Sequence, residues 1–199
     1  MKRYLVSLIV VLAPGLWLSP STATAQQKFV VRPLAEKKVA ELPSGALFWR
    51  IENFATREEA QAGAGEWALV AESAGKVWLL TLGAAGGSSA GGIKVAEVGP
   101  IPRVAAKEYL LRVNEGSGPP GSITAPHTHP GSEAFYVIEG ETSSHTPRGV
   151  KRIKAGQVEA GNAADTPMRV SSSGTTNLRS LVMFVVDADR PFSSPAKLP

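Results

Sequence analysis

Gly121-Ser-Ile-Thr-Ala-Pro-His127-Thr-His129-Pro-Gly-Ser-Glu133, followed by the apolar run Ala134-Phe-Tyr-Val-Ile138 and then Gly140, decides how this chain is read. It contains two of the three histidines in the sequence. Side chains alternate faces along a β-strand, so His127 and His129 point the same way with Thr128 between them. The Pro130-Gly131 pair predicts a turn that brings Glu133 in from the next strand. Two imidazoles and one carboxylate on one face are the ligand set of a facial triad, which leaves coordination positions open for substrate or water. The stretch therefore predicts a site for one divalent transition metal (Fe, Mn, Zn, Ni or Cu) held by His127, His129 and Glu133. Coordination needs neutral imidazoles and an ionised carboxylate, so metal should be lost on acidification.

Gly121, His127, His129, Glu133 and Gly140, with apolar residues between the last two, resemble the first sequence motif of the cupin family. The resemblance implies a mainly β fold: a cupin-type double-stranded β-helix, or jelly-roll barrel, with a metal site inside. It covers roughly residues 108–187, less than half of the chain. It also makes a homodimer plausible.

The second cupin motif is where this sequence departs from the family. Gly156-Gln-Val-Glu-Ala-Gly161 aligns with its start and Thr166-Pro-Met-Arg-Val170 with its end. Met168 then stands in the slot of a fourth, histidine ligand, and Ser172 where an asparagine would follow. A thioether is a soft, weak ligand that suits copper and binds oxygen-preferring ions poorly. Met168 is thus read as a core filler beside a three-ligand site, as a weak axial ligand, or as the mark of a site that has lost its metal. The remaining histidine, His145, lies just past Gly140. A two-residue hairpin turn at Glu139-Gly140 would pair it near Ala134, facing away from Glu133, whereas one extra turn residue would swing it inward. Asp165 is a turn residue that could reach the barrel mouth.

Upstream, Lys2 and Arg3, the apolar run Tyr4–Leu18 and Ala23-Thr24-Ala25 predict a signal peptide over residues 1–25, and hence a periplasmic or secreted protein. No membrane association is expected after cleavage. Residues 26–107 are read as an N-terminal extension packing on the barrel. Within it, Gln26–Leu42 is expected to run as an extended arm. Strands are predicted over Leu47–Phe54, Trp67–Glu72, Lys76–Thr81 and Lys94–Val98, with a short helix from Arg57 capped by Thr56 and Glu59. These pieces either add to the barrel's edge or form a small separate α/β lobe. From residue 108 onward the strands are Tyr109–Val113, Ala134–Ile138, Thr142–Thr146, Val150–Ile153, Met168–Ser172 and Leu178–Asp187, the last expected to sit centrally. Glu115–Ser122 reads as a Gly/Pro-rich loop and residues 188–199, rich in proline, as a C-terminal arm.

Cysteine is absent, which excludes thiolate metal sites, redox pairs and a cysteine nucleophile. The net charge of +4 is spread along the chain, apart from Arg148, Lys151, Arg152 and Lys154. That small cluster reads as a solvated strand face rather than an anion patch, and nothing argues for nucleic acid. There is no Gly-x-Ser-x-Gly elbow, phosphate loop or dinucleotide fingerprint. Two functions remain: a metal-dependent enzyme acting on a small molecule, with its reaction unassigned, and a non-catalytic module that binds a small ligand.

Overall fold

The computed structural model describes residues 28–198, and the expected signal peptide lies outside them. The chain folds as β1 (Val30–Val39), β2 (Phe48–Phe54), α1 (Arg57–Ala62), β3 (Ala68–Ser73), β4 (Lys76–Gly83), β5 (Ile93–Val98) and β6 (Tyr109–Gly118). It continues with β7 (His127–Thr128), β8 (Gly131–Glu139), β9 (Glu141–Thr146), β10 (Gly149–Lys154) and β11 (Val158–Asn162). The last strands are β12 (Arg169–Ser172), β13 (Leu178–Asp187) and β14 (Ser194–Pro195). The mainly β architecture agrees with the sequence reading, and α1 starts at the predicted capping box: Thr56 Oγ1 accepts from Glu59 N, and the Glu59 carboxylate accepts from Thr56 N.

A five-stranded antiparallel sheet, in the order β1-β6-β13-β8-β11, forms one wall of a barrel. A three-stranded sheet, β10-β9-β12, and a two-stranded one, β14-β7, contribute the rest. β13 is the middle strand of the large sheet, as its run of Val, Leu, Met and Phe predicted. Alternation sorts each strand's residues between two faces. Phe135 and Val137 of β8 point into the barrel, where they meet Val182 and Phe184 of β13 and Val170 of the opposite sheet. Ala134 and Tyr136 point outward.

That outer face is covered rather than solvated. The second large sheet, β3-β4-β2-β5, packs across it, and one continuous core contains Trp49, Ile51, Trp78 and Leu80 together with Leu111, Ala134, Leu181 and Met183. The Trp78 and Tyr136 rings meet across this seam, 5.8 Å apart between centroids. Burying residues of this size accounts for much of the fold's stability, since each aromatic contributes a large apolar area.

Three local expectations are corrected. β6 continues through Glu115–Gly118, where a loop was expected, because β1 and β13 pair with it on both sides. Gly116 leaves the room that Phe29 and Ser180 occupy, and the Glu115 carboxylate accepts from Arg32 and Ser73. Tertiary pairing here overrides weak strand propensity. β11 forms where no strand was predicted, beside β8. The tail is no free arm: Ser194 and Pro195 pair with Thr128 and His127, and Ala196 N donates to Pro126 O at 3.1 Å.

Candidate metal centre

β7 is a two-residue strand between Pro126 and Pro130, which lack the N–H needed to extend a ladder on both sides. Its backbone is held by β14 on one side and by Met168 on the other. His127 N donates to Met168 O at 2.9 Å, and Met168 N donates to His127 O at 2.8 Å. β8 then starts at Gly131, whose missing Cβ lets the chain pass β13 closely; a Cβ there would fall 2.1 Å from Val185 O. This delivers Glu133 opposite Phe184 on β13 and opposite Asn162 on β11. Gly161 forms the bulge that sets the latter register, at φ +79° and with no space for a side chain against the Glu133 carbonyl.

The structure brings His127, His129 and Glu133 together, with one ligand atom from each lying within 4.8 Å of the others. His129 Nε2 and Glu133 Oε1 are 4.0 Å apart. Ligand atoms on one ion sit about 3–4 Å from each other, so modest side-chain rotation draws the widest pair in.

Both histidines are oriented from behind. His127 Nδ1 is 2.8 Å from Ala125 O, and His129 Nδ1 is 2.6 Å from Phe192 O. A carbonyl oxygen only accepts, so Nδ1 carries the proton in each ring and Nε2 keeps its lone pair free. This is how metal-binding histidines are ordinarily held. Glu133 is 3% exposed, and its Oε2 has no hydrogen-bond partner. A buried polar atom without a partner is rare and asks for an explanation. Two free Nε2 lone pairs and one unsatisfied carboxylate oxygen fit a divalent ion.

Burial also moves the proton affinities. Desolvation pushes the Glu133 carboxyl up to about 8. Desolvation pushes the His129 imidazole down to about 4, against the opposing pull of the Phe192 carbonyl. Without metal, neutral pH therefore finds Glu133 protonated and His129 neutral.

The other candidates lie elsewhere. Met168 is buried, with Sδ 3.7 Å from Asn162 Nδ2, and does not line the cavity beside the histidines. His145 does not pair near Ala134, because β9 leaves β8 at Gly140 and joins the other sheet, where His145 sits opposite Val150 and Arg169. Its Nε2 is 3.4 Å from Ser171 Oγ, outside the cavity lining. Asp165 is tied to Arg190 at the surface. Lys151 pairs with Glu159 and Arg152 with Glu141, at the exposed strand face expected. The sequence reading missed Asn162, Asn114 and Phe192. Asn114 lines the cavity and Asn162 comes opposite Glu133 only through strand register, and Phe192 arrives only through the path of the tail.

A His-x-His strand and a glutamate on the next one thus sit inside a two-walled antiparallel barrel, with the glycine turn of Gly140 following. This is the arrangement that the resemblance to the cupin motif implies. None of the protein-family models and none of the curated proteins matches this chain. Among solved structures, it is similar to a double-stranded β-helix protein from Klebsiella pneumoniae, with 25% identity over 44% of this chain and 75% of that one and a TM-score of 0.38. It is similar to a cupin superfamily protein from Desulfitobacterium hafniense (13% identity, 39% and 68% coverage, TM-score 0.35). It is also similar to a DMSP lyase from Ruegeria pomeroyi (17% identity, 43% of each chain, TM-score 0.38). The match thus spans less than half the length of the lyase. In each case the likeness covers less than half of this chain.

Proposed function

We propose that this cupin binds one divalent transition metal through His127, His129 and Glu133 and acts on a small molecule in the adjoining cavity, as an exported, periplasmic or secreted enzyme. The observation that carries the reading is the convergence of two Nε2 lone pairs, each freed by an Nδ1–H donated to a carbonyl, on an unpartnered buried carboxylate. When bound, the metal would supply Lewis-acid polarisation or activation of a bound oxygen species. The chain's own part is to fix the imidazole tautomers, to hold or release the Glu133 proton, and to exclude water with the phenylalanines around the cavity. The signal peptide expected from residues 1–25 is what supports the location.

Metal analysis of protein purified without a histidine tag tests the site. About one equivalent of a transition metal is expected after reconstitution; less than a tenth would overturn the reading. The His127→Ala, His129→Ala double variant should lose uptake entirely while keeping its β-rich circular dichroism spectrum, because neither ring is needed for the sheet cores. Metal that stays bound to the double variant would place the site elsewhere.

Binding should also release protons. Glu133 is protonated in the metal-free protein at pH 7, whereas the buried His129 imidazole is already neutral. Calorimetry in buffers of different ionisation enthalpy should therefore report about one proton released per metal at pH 7 and fewer at pH 9. An exposed carboxylate would release none at either pH.

The second reading is a non-catalytic ligand-binding module. It is favoured by Met168, which puts a thioether where the resemblance calls for a nitrogen ligand. Metal uptake with no turnover of any small-molecule class would support it.

A further inference from the structure

The cavity beside the metal-ligand cluster holds about 340 Å³, at the small end of the range for small-molecule sites. Phe29, Val182, Phe184 and Phe192 form much of its wall, and its lining contains no lysine, arginine or aspartate. Three polar side chains outside the cluster, Asn114, Thr124 and the neutral hydroxyl of Ser193, also line it. Asn114 Oδ1 accepts from Arg112 Nε at 2.9 Å, which leaves the amide N–H groups to offer. Thr124 Oγ1 accepts from Val170 N at 3.0 Å and keeps its own hydrogen. Asn114 and Thr124 therefore meet a ligand as neutral donors.

A positive charge is nevertheless close by. Arg112, Phe184 and Glu133 form one row across β6, β13 and β8, so Arg112 shares the inner face of the sheet with Glu133. Its guanidinium does not reach the cavity. It lies 4.3 Å from the centroid of the Phe192 ring and is further engaged by Glu36 at 3.3 Å. Phe192 is fixed from three sides. Its ring packs 4.7 Å from His129 and 4.9 Å from Phe184, and its carbonyl accepts from His129 Nδ1. The tail thus lays an aromatic ring between a cation and the space beside the ligand cluster.

We propose that the metal-free cavity takes a small, neutral and mainly apolar molecule with an acceptor oxygen, and that Phe192 sets this preference by covering Arg112. The inference concerns the ligand of the site proposed above and rests on that reading. With no metal bound, an anionic ligand would enter a space whose added polar side chains are all neutral and would lose its hydration without a paired charge.

Acetophenone and benzoate are the probes, because they are nearly the same shape and differ in charge. Each is titrated at pH 7 into the full chain stripped with EDTA, and amide resonances are followed by NMR. Acetophenone should bind at least tenfold more tightly than benzoate. Phe192→Ala should uncover Arg112 and shift that ratio toward benzoate by at least tenfold, and adding Arg112→Gln should return it. Phe192→Leu keeps an apolar cover and should behave as wild type. The proposal is overturned if wild type binds benzoate as well as acetophenone, if it binds neither, or if a folded Phe192→Ala leaves the ratio unmoved. Should Phe192→Ala fail to fold, the wild-type ratio and Phe192→Leu still decide. No metal enters this titration, so a failure of metal uptake and a failure of ligand choice are read separately.

Discussion

Replacing Glu133 with glutamine should abolish metal binding and, at the same pH, make the metal-free protein more stable. The Glu133 carboxyl sits at about 8 in the fold, against an ordinary value of 4.5. Below pH 4.5 both native and unfolded chains hold the proton and the site carries no penalty. As pH rises from 4.5 to 8, the unfolded chain ionises while the native one does not, so the metal-free fold steadily loses stability. At about 1.4 kcal/mol per pH unit, the loss reaches about 3 kcal/mol at pH 7. Glutamine does not ionise and escapes this slope. The stability difference between Glu133→Gln and wild type should therefore be small at pH 4 and favour the variant by about 3–5 kcal/mol at pH 8. Chemical denaturation of EDTA-treated protein at the two pH values measures it. A difference that does not grow with pH would mean that Glu133 is ionised in the metal-free fold.

His129 tilts the opposite way. Its imidazole sits at about 4 against 6.5, so below pH 6.5 the unfolded chain takes up a proton that the native one refuses. Stability from this residue is whole above 6.5 and falls as pH drops toward 4. Between 4.5 and 6.5 the two slopes oppose each other. The metal-free protein should therefore be most tolerant in mildly acid solution, and the metal-loaded one at neutral pH and above.

Gly161→Ala should be the most damaging single substitution near the site. A Cβ there would lie 1.2 Å from the Glu133 carbonyl oxygen, on a backbone at φ +79°. Left-handed backbone alone costs a residue with a Cβ about 1–2 kcal/mol. The collision adds displacement of β11 from β8, and the total is expected to exceed about 4 kcal/mol. Gly45→Ala separates the two contributions, because Gly45 has φ +77° with no atom within 4 Å of the added carbon. It should cost only the conformational share. Equal midpoints for the two variants in urea would show that the β11 bulge yields freely.

The metal-ligand cluster was legible in the sequence because its geometry is local. His127 and His129 share a face through strand alternation alone, and Glu133 follows across one turn. The capping box at Thr56 and Glu59 and the central place of β13 were readable for the same kind of reason: short-range chemistry in one case, continuous apolar burial in the other. What escaped depends on distant partners. Glu115–Gly118 has the composition of a loop and becomes strand because β1 and β13 flank it. His145 was misplaced because a turn at Glu139-Gly140 looks like a hairpin, while the chain uses it to cross from one sheet to another. Phe192 lies in a segment rich in proline, and nothing in its neighbours signals a return to β7.

β8 carries two responsibilities on opposite faces: Glu133 and Phe135 turn toward the cavity, Ala134 and Tyr136 toward the core shared with β3-β4-β2-β5. The barrel of this chain is for that reason not a portable module. Cut out at its sequence limits, it would present Leu111, Val113, Ala134, Leu181, Met183 and Val185 to water as one continuous apolar sheet face. Grafting the site onto another host would require either transplanting the N-terminal sheet with it or rewriting every second residue of three strands. Variation in β2–β4 is thus constrained by the strand faces that back the cavity wall.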